Sequence, residues 1–233
     1  MIARGASEVM KTHLERDLDA VQKELFAMAL EVEEAILNAA LSIQNRDTAL
    51  AKRVIDSEPR IDADENYLEE ECLKIIALHQ PVAIDLRRVA TAIAINTDLE
   101  RMADLAEEIA ERALSLATLP AVKVPEKFQR MTDIVITMVR QSLDCFFHLD
   151  PHQARRVCRL DDEVDRYNDD IISDLIAMMQ ASPKSVEPGL SLFSATRHLE
   201  RIADHASNIA EDVVYLVEGT VIRHNPAALD DEQ

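Results

Sequence analysis

The sequence predicts an all-α protein built as two tandem antiparallel three-helix bundles related by an internal pseudo-twofold repeat. Three observations carry that reading. Gly occurs only 3 times in 233 residues and Trp not at all, whereas sheet proteins need turn glycines and aromatics at regular intervals. Apolar residues recur at helical spacing through long stretches free of Gly and Pro. The chain also repeats itself: Asp98-Leu99-Glu100-Arg101-Met102-Ala103-Asp104 returns as His198-Leu199-Glu200-Arg201-Ile202-Ala203-Asp204.

Taken in order, residues 1–10 read as a loose arm. A long amphipathic helix follows over roughly 12–45, with Leu14, Leu18, Val21, Leu25, Met28 and Val32 on one stripe. Asn45-Arg46-Asp47 is a turn, and Asp47 is a good N-cap for the second helix, roughly 48–79. Pro59 predicts a kink or break in it near Glu58. His79-Gln80-Pro81 ends it. A third helix covers roughly 83–117, and Leu119 to Pro125 is the linker. The second half follows the same plan. One helix runs over roughly 126–147. Asp150-Pro151 supplies an N-cap and a first-turn Pro for the next, which reaches about Gln180. Ser182 to Gly189 reads as a loop. The last helix spans roughly 190–217 and stops at Gly219, the residue type favoured just past a helix end. The expected domains are residues 12–119 and 125–219, with a flexible tail over 220–233.

The repeat fixes a register. Met28 and Val32 match Met131 and Val135, and Glu58, Ile61 and Asp62 match Asp161, Val164 and Asp165, an offset of 103. In the third helix of each half the offset is 100, so the intervening segments differ by three residues.

Composition narrows the function. Hydrophobic residues make up 48% of the chain, enough for a sizeable core, and the net charge is -19. Such a field repels nucleic acid and anionic lipid and attracts cations or basic protein surfaces. Cys72, Cys145 and Cys158 have no CxxC spacing, which points to a reducing compartment without a disulfide framework. No apolar signal segment opens the chain, and no run approaches the ~18 apolar residues of a spanning helix. The expectation is a cytoplasmic protein that meets the membrane only through partners. There is no GxxxxGK[ST], GxGxxG or GxSxG motif, and no Glu-x-x-His of the kind that builds ferritin-like di-iron sites. Nothing in the sequence marks an enzyme.

What remains is acidic. Glu100 and Asp104 lie about 40° apart and about 6 Å along one helix face. Two carboxylates so placed can reach one hard cation, and they repel one another without it. Glu200 and Asp204 repeat the pair. The second helix of each half carries another, Glu58 with Asp62 and Asp161 with Asp165. In an antiparallel bundle these pairs face across one groove, so the candidate metal ligands are Glu58, Asp62, Glu100 and Asp104 in one half and Asp161, Asp165, Glu200 and Asp204 in the other. Oxygen-only ligands suit Fe, Mn or Mg rather than structural zinc. Glu58 is the weak member, because the residue before a proline is pushed from helical geometry. Glu108 and Glu111 fall near the same azimuth, and upstream it carries Leu86 and Ile93, so the face is not uniformly solvated. Phe193 holds the matching place in the second half. Arg101 and Arg201 are expected to pair with and orient neighbouring acids. His198 and His205 lie away from Glu200 and read as helix-crossing residues. An oxygen-ligated bundle metalloprotein, or a metal buffer without a signalling role, is the alternative reading.

At these residues the chain resembles the PhoU family of phosphate-signalling regulators. The likeness rests on the two LER-x-Ala-Asp segments, on Gln80-Pro81-Val82-Ala83-Ile84-Asp85-Leu86-Arg87, on His205-Ala206-Ser207-Asn208-Ile209-Ala210-Glu211, and on the ending Val217-Glu218-Gly219, and it covers roughly residues 10–224. It implies six helices in two bundles, multinuclear metal clusters on the (Glu/Asp)-x-x-x-Asp motifs, and a regulatory, non-enzymatic role. It further implies negative regulation of the phosphate-starvation response, as an adaptor between a Pst-type phosphate transporter and a PhoR-type sensor histidine kinase. The expected partners are that kinase, the transporter ATPase subunit and a second copy of the chain in a homodimer. One departure is visible: the family usually has Gly before the final Asp of each motif, where this chain has Ala103 and Ala203, and the added methyl is expected to tighten access to the site.

Overall fold

The computed structural model describes the backbone of residues 2–222 and the side chains of residues 13–222. Six long helices account for nearly all of it: α1 (Ile2–Asn45), α2 (Thr48–His79), α3 (Ile84–Thr118), α4 (Glu126–His148), α5 (Pro151–Ala181) and α6 (Val186–Glu218), with a one-turn 3-10 helix over Pro183–Ser185. No strand occurs among the described residues. The first three helices pack on one another, as do the last three, and the two sets meet along α3 with α6 and α1 with α4. One contiguous core runs through both sets, from Leu25 and Ile36 through Leu99 and Met102 to Phe128, Leu199 and Ile202. Among the described residues no helix is long and apolar enough to cross a membrane.

Local chemistry sets the ends. Asp47 accepts from the backbone N–H groups of Ala49 and Leu50, and Asp150 does the same for His152 and Gln153. Each cap satisfies donors that the first helical turn leaves unpaired. Gly219 closes α6 at φ +73°, a conformation that costs glycine little. Arg46 donates to the carbonyls of Leu116 and Leu119 and so caps the C-terminus of α3 from across the bundle. Arg155, buried at the start of α5, grips both carboxylate oxygens of Glu218 at 2.7 and 2.8 Å, tying α5 to the end of α6.

Three sequence expectations change here. The arm read over residues 1–10 is helical from Ile2, and Ala3, Arg4, Ala6, Glu8 and Met10 are residue types that favour a helix. The helix expected to kink or break near Glu58 runs unbroken through Pro59. Pro59 is exposed, so the carbonyl of Ile55 that loses its partner lies toward water, and Ser57 Oγ donates to the Val54 carbonyl at 2.7 Å. The loop read up to Gly189 is shorter than expected, since α6 already starts at Val186. Pro188 falls in its first turn, where no N–H partner is required. Gly189 is needed there, because a Cβ would stand 2.6 Å from Met179 Cγ. The tail expected over 220–233 lies, from residue 223 on, outside the described residues.

Candidate metal centre

The first acidic station lies where α2 and α3 run antiparallel. Glu58 and Asp62, one turn apart on α2, converge with Asp104 of α3, each offering one carboxylate oxygen within 4.8 Å of the others. Two oxygens bound to one hard ion at about 2.0–2.6 Å lie no more than about 5 Å apart, so this triad fits a single cation. Glu58, the doubted ligand, is therefore a member of the one such group among the described residues. Glu100 is not in the triad. It stands one turn away on α3, within the electrostatic reach of Asp104, Glu65 and Asp62.

Electrostatics mark the station as crowded. Burial, then a hydrogen bond and the charge of Asp62, push Glu58 up to about 7. Glu100, Asp104, Glu65 and Glu107 are also raised, by burial first and by neighbouring acids next. Glu65 and Glu107 did not figure among the expected ligands. Glu107 follows Asp104 by three residues, and Glu65 follows Asp62 by three. Glu107 falls only about 20° from Glu100 on the helical wheel, closer than Glu108. The legible signal was the i+3 extension of each pair.

The second station is built differently. Asp161 and Asp165 of α5 face Glu200 and Asp204 of α6. Burial, then the charges of Asp204 and Asp165, raise Asp161 to about 7. Glu200 and Asp204 are raised as well, with burial leading and each other or Asp165 following. These four carboxylates do not converge as the first triad does. The positions of Glu65 and Glu107 are taken by Asn168 and Ser207. Arg197 Nη1 donates to Glu200 Oε1 at 2.9 Å, where the first half has Thr97 turned back on the Ile93 carbonyl. Glu200 Oε2 is left buried with no hydrogen-bond partner. An orphaned buried carboxylate oxygen is costly unless a donor or cation completes it.

A further expectation is corrected. Arg101 and Arg201 are exposed and make no ion pair within 4 Å among the described residues, and the pairing role falls to Arg197. Long side chains on the outer face gain more from hydration than from reaching back to the groove. Ala103 and Ala203, which stand before the last Asp of each motif, are both buried. The histidines cross helices as expected. His205 Nδ1 lies 2.8 Å from Asp98 Oδ1 and His198 Nδ1 lies 3.0 Å from Glu108 Oε2, both across the seam between α6 and α3.

Comparison with known proteins finds relatives along most of the chain. The PhoU domain model matches residues 25–113 and again 128–213. The chain is 36% identical over 209 residues to the phosphate-specific transport system accessory protein PhoU homolog of Pseudomonas putida, covering 89% of this chain and 82% of that one. It is 37% identical over 211 residues to the corresponding homolog of Deinococcus radiodurans, covering 91% and 99%. A crystal structure of PhoU from Pseudomonas aeruginosa superposes with a TM-score of 0.84 at 34% identity, covering 88% of this chain and 99% of that one. The phosphate transport system regulatory protein PhoU from Streptococcus pneumoniae gives 0.83 at 26% identity, covering 89% and 98%.

Proposed function

This chain belongs to the PhoU family, and on that premise we propose that it is a metal-binding negative regulator of the phosphate-starvation response, linking a Pst-type phosphate transporter to a PhoR-type sensor histidine kinase. The family is regulatory and not enzymatic, and the relatives are named as accessory or regulatory proteins of phosphate transport. The observation that carries the metal part is the convergence of Glu58, Asp62 and Asp104 within 4.8 Å with no cationic side chain paired to them among the described residues.

Fe, Mn or Mg, when bound, supplies the positive charge these acids lack. The protein's own contribution is to hold the ligands on rigid helices. Glu58, Asp62 and Asp104 hold an ion in the first half, with Glu100, Glu65 and Glu107 at its edge. Asp161, Asp165, Glu200 and Asp204 form the second, looser set, in which Arg197 already occupies part of Glu200. Metal loading then sets the charge of a broad face, and a charged face is what a partner protein reads during encounter. In this reading the protein works in the cytoplasm as a homodimer, against the inner face of the transporter and the kinase, and does not bind membrane or nucleic acid itself.

The test has two arms. At a metal concentration about 100 times Kd, mass action adds about 2.7 kcal/mol, or roughly 5–10 °C in Tm for a chain of this size. An unchanged melt with Mn, Fe or Mg, and no metal in the purified protein by elemental analysis, removes the metal part. Deletion of the gene is expected to de-repress a phosphate-starvation reporter in high phosphate. Full repression in the deletion strain removes the regulatory part.

A further inference from the structure

Next to the second station, and continuous with its acids, lies an apolar surface that the metal reading leaves unused. Leu190 is 56% exposed, Val186 41% and Phe193 38% on α6, and Ile176 is 46% exposed on α5. Large apolar side chains grouped on one face mark an interaction site more often than the same residues scattered singly do. Their azimuths show that they form one surface. Relative to Glu200, Phe193 lies about 20° round the helix and Val186 about 40°, the same direction as Asp204. Relative to Asp165, Ile176 lies about 20° round α5 and Asp169 about 40°. Packing sets the alignment along the axis. Met179 meets Gly189 at one end, and Asp161 faces Asp204 at the other. The apolar ends of the two helices therefore coincide, and so do their acidic ends.

We propose that this α5–α6 face is a docking seat for an amphipathic helix of a partner protein, apolar toward one end of its contact stripe and basic toward the other. The seat runs from Val186 to Asp204, about 27 Å, or about five helical turns. Charge selects the occupant. The acidic end carries Asp161, Asp165, Asp169, Glu200 and Asp204, and Arg197 is engaged by Glu200. A second copy presenting this same face would set these acids against like charge, so the proposed homodimer would form on another face, and an anionic bilayer is repelled by the same acids. A cationic helix gains at both ends: its apolar residues cover Leu190, Phe193 and Ile176, and its Lys or Arg residues meet the acids. The first half has a thinner version, with Leu73 and Leu86 exposed at the matching end. The proposal rests on the adaptor reading for the existence of a partner, and its test uses neither metal nor a phosphate response.

The probe is a synthetic peptide of about 18 residues, long enough to fill the seat at 1.5 Å per residue. It has Leu on the stripe in its first half and Lys on the same stripe in its second, with Ala elsewhere, and binding is read by fluorescence anisotropy in EDTA. The control peptide has the same composition with Leu and Lys positions scrambled. The wild-type chain is expected to bind the ordered peptide at least tenfold more tightly than the control. Leu190→Ser with Phe193→Ser is expected to lose at least tenfold, and Asp169→Lys several-fold, with helical circular dichroism unchanged. Ile176→Ser, on the other helix, repeats the test should the double variant unfold. Equal binding of the scrambled peptide, or unchanged binding by the folded variants, overturns the proposal. So does a dimer, or co-sedimentation with anionic vesicles, that the same variants abolish, since either gives the face another occupant. A null peptide result with an intact metal-induced rise in Tm sinks the seat alone, and the reverse result sinks only the metal reading.

Discussion

The two acidic stations descend from one plan and differ in where their charge is balanced. In the first, Glu58, Asp62 and Asp104 converge and Glu65 and Glu107 add to the crowding. In the second, Asn168 and Ser207 replace those two acids and Arg197 partners Glu200. The core beneath them barely changes: Leu99 and Leu199 are both fully buried, as are Met102 and Ile202. The difference shows where a duplicated bundle is free to diverge. A buried position must keep its volume, because cavities and overpacking each cost a few kcal/mol. A groove position must keep only a workable charge balance, and a cation reaches that balance as well as an arginine does.

The comparison can be broken at several scales. The largest effect is in the core. Leu99→Ala and Leu199→Ala should each destabilise by about 2–5 kcal/mol in urea unfolding, and a marked inequality would mean that the two halves do not share one packing plan. Next comes pH. Glu58 and Asp161 are both raised to about 7, from ordinary values of 4.5 and 3.8. The folded protein holds these protons where the unfolded chain has released them, so their contribution is present below about pH 4 and is lost as pH rises to about 7. The metal-free protein should melt at a higher temperature at pH 5 than at pH 8. Glu58→Gln and Asp161→Asn should each flatten that slope, and a variant that keeps the full slope would show its station to be electrostatically idle.

Smaller effects sharpen the picture. Asp47→Ala and Asp150→Ala each remove an N-cap with two backbone donors and should cost about 1 kcal/mol apiece by thermal melt. Unequal costs would reveal that one half leans more heavily on its cap. The smallest concerns Arg197, whose side chain is 42% exposed. A partly exposed pair contributes about 0.2–1 kcal/mol, so Arg197→Ala should tighten Mn binding at the second station by up to about fivefold in calorimetry. No change there would mean that Arg197 does not compete with the ion.

The sequence made most of the fold legible, because six amphipathic stripes and two Asp caps each carried a local signal. It failed where tertiary context overrides local preference. Pro59 argues for a break in isolation, yet a long helix packed on both sides tolerates one missing hydrogen bond on its wet face. Pro188 and Gly189 look like a loop until Met179 is known to lie against them. In the site, the eight expected acids lie on two grooves, yet only three converge. Wheel angles report azimuth alone, and convergence also depends on the axial offset between helices. The Arg197–Glu200 pair was missed for a related reason: Arg201 shares the repeated motif and draws the eye, while its azimuth points to solvent.

The first helix spans 44 residues where its counterpart α4 spans 23. Its added length supplies Leu18 and Val21, which with Leu25 line a small cavity beside Phe146 and Leu216, and Phe26 meets Phe147 edge to face at 5.2 Å. The earliest part of the chain is thus finished by the latest. During synthesis at about 5–20 residues per second, roughly 190 residues separate Leu25 from Leu216, a wait of about 10–40 s. Through that interval α1 packs on α2 and α3, but the edge of its apolar face at Leu18 and Leu25 stays uncovered. Nascent-chain chaperones should find it before the last helix does, and deleting α6 should leave a product that they do not release.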